Sequence, residues 1–179
     1  MNRTWVGVAV ALLLFVCSDS GLPGHTSPEP FTDFETLSVD NRGCIFDCPV
    51  FEVRIFSDGR VRHSGPIFAQ TGGTEEFRID RASLVRIAHA LREAHIDDMR
   101  DRYVDEADGC ASVMTDQSTL VLHVNRGRGK RNKSVELYTG CFGGSVPAER
   151  INALLEAIDH VTGTGTLVER RIQARPRVH

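Results

Sequence analysis

The chain has 179 residues, 41% of them hydrophobic, which is enough length and apolar supply for one compact core and not two. Its formal charge of −3 favours solubility and argues against a general nucleic-acid binder.

Met1 to Val16 reads as an export signal, with Arg3 as a short positive region ahead of the uncharged run Val6 to Val16. That run is too short to cross a bilayer, which takes about twenty residues. Cleavage after Ser18 or Ser20 fits the small-residue rule, so residues 1–18 are expected to be removed. Cys17 is the candidate for lipidation instead, although Phe15 and Val16 are bulky where a lipoprotein site wants small side chains. With the signal gone, Cys44, Cys48, Cys110 and Cys141 remain, an even number suited to an oxidising compartment. The expected location is extracytoplasmic, periplasmic or secreted, with membrane anchoring if Cys17 is lipidated.

Residues 19–30 hold three prolines and no hydrophobic periodicity, and read as a flexible linker to a single domain over 31–163. Leu37 and Val39 alternate with polar neighbours, as do Phe51, Val53 and Ile55, giving two strands. Asp58-Gly59 predicts a tight two-residue hairpin into a third strand over Val61 to Ser64. Phe77 and Ile79 mark a fourth, shorter strand, and Asp80 is a good N-cap for a helix through about His95, with Leu84, Ile87, Ala88 and Leu91 as its buried stripe.

Leu120, Leu122 and Val124, then Val135 and Leu137, predict a second hairpin. Its connection, Asn125 to Lys133, carries five basic residues and is expected to be long, mobile and solvated. Pro147, the stripe Ile151, Leu154, Leu155, Ile158 and Val161, and Gly163 define a second helix. Residues 164–179 form an arginine-rich tail without periodicity, expected to be disordered. The fold class is α+β: a mainly antiparallel sheet of about six strands with two helices on one face.

The most specific local signature is Gly43-Cys44-Ile45-Phe46-Asp47-Cys48-Pro49, followed by the strand of Phe51, Val53 and Ile55 and the Asp58-Gly59 turn. This run resembles the opening of the bacterial family known as domain of unknown function 6438. The resemblance continues through Asp101-Arg102-Tyr103, Cys110 with Thr115-Asp116, Gly140-Cys141, and Leu155 to Asp159, and covers roughly residues 36–163. It implies an extracytoplasmic α+β domain and brings no catalytic set. The basic loop at Asn125 to Lys133 and the arginine tail depart from the family pattern.

Two disulfides are the default for the four cysteines. Cys44 and Cys48 flank a short turn, whereas Cys110 precedes one strand of the second hairpin and Cys141 follows the other, so the expected pairs are Cys44–Cys48 and Cys110–Cys141. The alternative is a thiol or copper-handling protein using Cys44 and Cys48, since the spacing is similar to a copper-chaperone loop. Against it, Pro49 leads into a strand and not into the helix that would lower a thiol pKa. A four-cysteine zinc site has poor spacing, and His63, His89, His95 and His123 show no ligating motif.

No nucleophile elbow is present, and Ser118, His123 and Asp116 are near one another only in sequence. Asp105, Glu106 and Asp108 lack calcium-loop spacing, and Gly143-Gly144 is weak evidence for an anion cradle. Arg126, Arg128, Lys130, Arg131 and Lys133 could give weak contact with an anionic envelope surface, or simply keep a hairpin tip soluble. The reading is therefore an exported binding or envelope-associated module, not an enzyme, with no cofactor, no metal and no identified partner.

Overall fold

The computed structural model describes residues 32–44, 50–65 and 73–164. The segments expected to be signal, linker and, beyond Thr164, disordered tail, with Cys17 and Cys48, lie outside the described residues.

The fold is α+β. Strands β1 (Thr36–Asn41), β2 (Phe51–Phe56), β3 (Arg60–Gly65) and β4 (Gly73–Arg78) are followed by helix α1 (Arg81–Glu93) and a single 3-10 turn at Ile96–Asp98. Then come β5 (Arg102–Tyr103), β6 (Ser112–Val113), β7 (Thr119–Asn125), β8 (Lys133–Tyr138), β9 (Cys141–Phe142) and helix α2 (Ala148–Thr162). Seven strands make one sheet in the order β4-β3-β2-β1-β7-β8-β5, and β6 pairs with β9 in a small second sheet. All pairings in the main sheet are antiparallel except β5 with β8. The strand beyond the expected six is β5, only two residues long, too short for alternation to announce it.

The period-2 pattern assigns the faces. Leu37, Val39, Val53, Ile55, Val61, Leu122, Val124, Val135 and Leu137 point inward, where they meet Leu84, Ile87 and Leu91 of α1 and Ile151, Leu154, Leu155 and Ile158 of α2. Each such side chain is worth about 1.5–3 kcal/mol when fully buried. Helix α1 begins where the Asp80 carboxylate accepts the Ser83 amide at 2.8 Å, and it stops before His95, whose φ of 48° is left-handed. Helix α2 starts after Pro147 and stops at Gly163, where φ is 67°.

The first hairpin differs from the two-residue turn expected of Asp58-Gly59. Ile55 pairs with Val61, so the loop is Ser57-Asp58-Gly59, closed by the Gly59 amide on the Phe56 carbonyl at 3.0 Å, with Gly59 at φ 87°. Parity is the cause. Residues directly opposite in an antiparallel pair share a face, and the inward residues Val53, Ile55 and Val61 are all odd-numbered, which an even loop would place on opposite faces.

Candidate functional site

Both described helices pack on the same face of the sheet. The even-numbered residues of β1 to β4 and the odd-numbered ones of β7 form an open face that neither helix packs against. The registers order it into rows. One runs Glu136, Val121, Asp40, Glu52, Ser64 across β8, β7, β1, β2 and β3; the next runs Ser134, His123, Ser38, Arg54, Arg62, Glu76 as far as β4.

Ion pairs hold these side chains in place. Asp40 lies 3.7 Å from His123 Nε2, Glu52 pairs with Arg54, and Glu136 meets Arg42 at 3.3 Å. Burial raises the Asp40 carboxyl above the ordinary carboxylate range, and Glu52 adds to the rise against the pull of His123, Arg54 and Arg42. At the hairpin end, the Arg60 side chain and amide both bond to Asp58, holding that carboxyl below its usual range. The Arg60 guanidinium also sits over the Phe56 ring, 4.4 Å from its centroid. At the β7–β8 end of the rows, a polar groove of ≈ 450 Å³ is lined by Arg42, His123, Ser134, Glu136, Asp101 and Lys133, with others.

The residues singled out from sequence fall in several places. Cys110 and Cys141 form a buried disulfide with Cα atoms 5.3 Å apart, tying β9 to the segment just before β6 and so closing the small two-stranded sheet. Cys44 is also disulfide-bonded, while Cys48 lies outside the described residues. His63 is buried on the inward face, stacked on Phe51 with ring centroids 6.3 Å apart. Burial holds its imidazole below the usual range, with Glu75 pulling the other way. His89 and His95 are exposed beside Glu93 and Asp98. His123 stands on the open face, whereas Ser118 is buried and Asp116 sits in an exposed turn, so these three do not converge.

Asp105 and Asp108 bond to backbone amides of their own turn. Gly144, at φ 62°, packs so closely on the Gly109 carbonyl that a Cβ there would run into it, which makes the glycine pair a packing device. Among the described residues no three histidine, cysteine or acidic side chains gather as a metal site.

The five basic residues of the second hairpin are not equivalent. Arg126 is tied to Asp97 at 2.9 Å and to the Arg131 carbonyl at 3.0 Å. Lys133 is the first residue of β8, buried, with its ammonium on the Met99 carbonyl and Asp101. Arg128, Lys130 and Arg131 are exposed at the tip. The connection expected to be mobile is braced by Asn125 and Asn132 side chains that accept the Gly127 and Arg126 amides.

Taken together, the antiparallel sheet, the two helices on one face and the disulfide across the β6–β9 end define a small disulfide-braced α+β domain. The chain belongs to the family described as domain of unknown function (DUF6438), whose model matches residues 35–162. No curated protein matches it.

Proposed function

We propose that this chain is exported and acts in the bacterial envelope as a binding module, with the open sheet face as its recognition surface. The observation that carries the reading is that face itself: rows of charged side chains fixed on rigid strands by ion pairs within β2 and between neighbouring strands, with neither described helix over them. Cys44, Cys110 and Cys141 are all held in disulfides, which supports an oxidising compartment and leaves these sulfurs without thiolate chemistry. Arg128, Lys130 and Arg131 at the hairpin tip add a weak, salt-sensitive attraction to anionic surfaces.

Fractionation with intact-mass analysis tests the location. The expected product is an envelope protein lacking Met1 to about Ser18, or one beginning at lipid-modified Cys17, without free thiol. A cytoplasmic chain that keeps Met1 and reduced Cys110 and Cys141 would overturn the proposal.

A further inference from the structure

We infer that the part of the open face built by β2, β3 and β4 grips a phosphate-bearing chain through Arg54, Arg60, Arg62 and Arg78. The inference deepens the binding-module reading and rests on it, but not on where the chain resides. The three-residue hairpin loop sets the β2–β3 register, which places Arg54 directly opposite Arg62, and the β3–β4 register places Arg60 directly opposite Arg78. Like charges facing each other across a sheet destabilise it, so two such pairs side by side burden the fold without helping it. An anion between the guanidinium groups reverses the sign of that interaction.

The arginines are also held in readiness. Arg54 is steadied by Glu52, Arg60 by Asp58 at 2.8 Å and by the Phe56 ring, and Arg78 by the Asp58 carbonyl at 2.7 Å. A guanidinium has five N–H donors, and these contacts use one or two each. Arg62 is exposed and makes no ion pair with any described residue.

The geometry selects the ligand. Along β3 the two arginine pairs lie two residues apart, about 6.5–7 Å, and they are offset sideways by one strand, so a flexible chain can lay phosphates from different points along its length on both. A flat membrane surface would instead press on Glu52, Asp58 and Glu76, which lie among the arginines. Arg60 covers one face of the half-buried Phe56 ring, so at most one ring face is left for a nucleobase to stack on, which disfavours a single-stranded nucleic acid.

Titration calorimetry of the processed, oxidised chain with short-chain inorganic polyphosphate tests this, with oligothymidylate and vesicles containing phosphatidylglycerol as parallel arms. Polyphosphate should bind most tightly, and Arg54→Thr with Arg62→Thr should weaken it by about tenfold or more and shallow the salt dependence. The same double variant should melt close to the parent, because the repulsion it removes offsets the exposed Glu52–Arg54 pair it loses; this separates lost binding from lost folding. Arg128→Gln, Lys130→Gln and Arg131→Gln together should leave polyphosphate binding unchanged. Absence of polyphosphate binding, indifference to the double variant, or tighter binding of oligothymidylate or vesicles would each overturn the inference. None of those results would touch the question of export.

Discussion

Lys133 places its ammonium 2.6 Å from the Met99 carbonyl oxygen and 2.6 Å from Asp101 Oδ1, joining the start of β8 to the turn that leads into β5. The Asp101 carbonyl accepts the Glu136 amide at 2.8 Å, so the same short segment is bonded to β8 twice over. Lys133→Met keeps the length and loses the donor, leaving a buried carbonyl unsatisfied. It should cost about 1–3 kcal/mol in chemical denaturation, whereas Lys130→Met at the exposed tip should stay within about 0.5 kcal/mol.

The same pair predicts an acid limb. The Lys133 hydrogen bond and charge hold the Asp101 carboxyl below its ordinary range. A group whose pKa is depressed by folding contributes stability above its unfolded pKa and loses it as pH falls through the folded value. Melting temperature should therefore drop below about pH 4, and Asp101→Asn should flatten that part of the profile.

Asp40 has the opposite sign. Its folded pKa is raised, so ionising it costs the folded state more than the unfolded one, and stability declines as pH rises through the shifted value. Asp40→Asn should raise the melting temperature at neutral pH by about 1–2 °C, a small shift because the group is partly solvated. The gain should vanish near pH 3, where both states carry a protonated Asp40. A loss of stability at pH 7 would mean that the His123 contact outweighs the cost of burial.

Much of this was legible in the sequence. Alternation placed β1, β2, β7 and β8, the Asp-Gly turn placed β3, and the caps at Asp80 and Gly163 bounded the helices. The parity of Val53, Ile55 and Val61 also held the hairpin register, and with it the Arg54–Arg62 pair, but the Asp-Gly dipeptide drew attention to a shorter turn. Lys133 shares the odd parity of Val135 and Leu137, which marked it as inward-facing. Its place in a run of basic residues hid that. Nothing local could announce that Asp40 meets His123, or that two-residue β5 joins the sheet, because tertiary pairing alone creates those contacts.

The bridge between Cys110 and Cys141 spans a sequence separation of 31, and loop closure of that size is worth about 3.7 kcal/mol in the entropy model. Cys110→Ala with Cys141→Ala should destabilise the domain by about that amount in urea, and by more than Cys44→Ala with Cys48→Ala, whose expected loop is far shorter. Non-reducing peptide mapping should recover Cys110–Cys141 and Cys44–Cys48; a peptide joining Cys141 to Cys44 or Cys48 would refute the pairing.

Gly144→Ala should be costly. The left-handed φ of 62° disfavours any side chain, and the Gly109 carbonyl occupies the space that the methyl group needs. The loss should exceed the roughly 1 kcal/mol usual for glycine replacement at a left-handed position, while Gly129→Ala, with nothing near its would-be Cβ, pays only for its φ of 78°. Thermal melts of the two variants compare them directly.

The position of β1 has a consequence for how quickly the native state is reached. Its two neighbours are β2, which follows at once in the chain, and β7, which arrives only after β2 to β6 and α1. The β2–β3 hairpin can therefore form early, while the other edge of β1 waits for a partner across a long loop, and non-local closure of this kind is what slows folding. Truncation at the junction, as in Val39→Ala or Leu122→Ala, should retard refolding, whereas truncation at Phe77 on the outer strand should chiefly hasten unfolding. Until β7 docks, β1 presents an unpaired edge, so the interval before that event is when the chain is most exposed to pairing with a copy of itself.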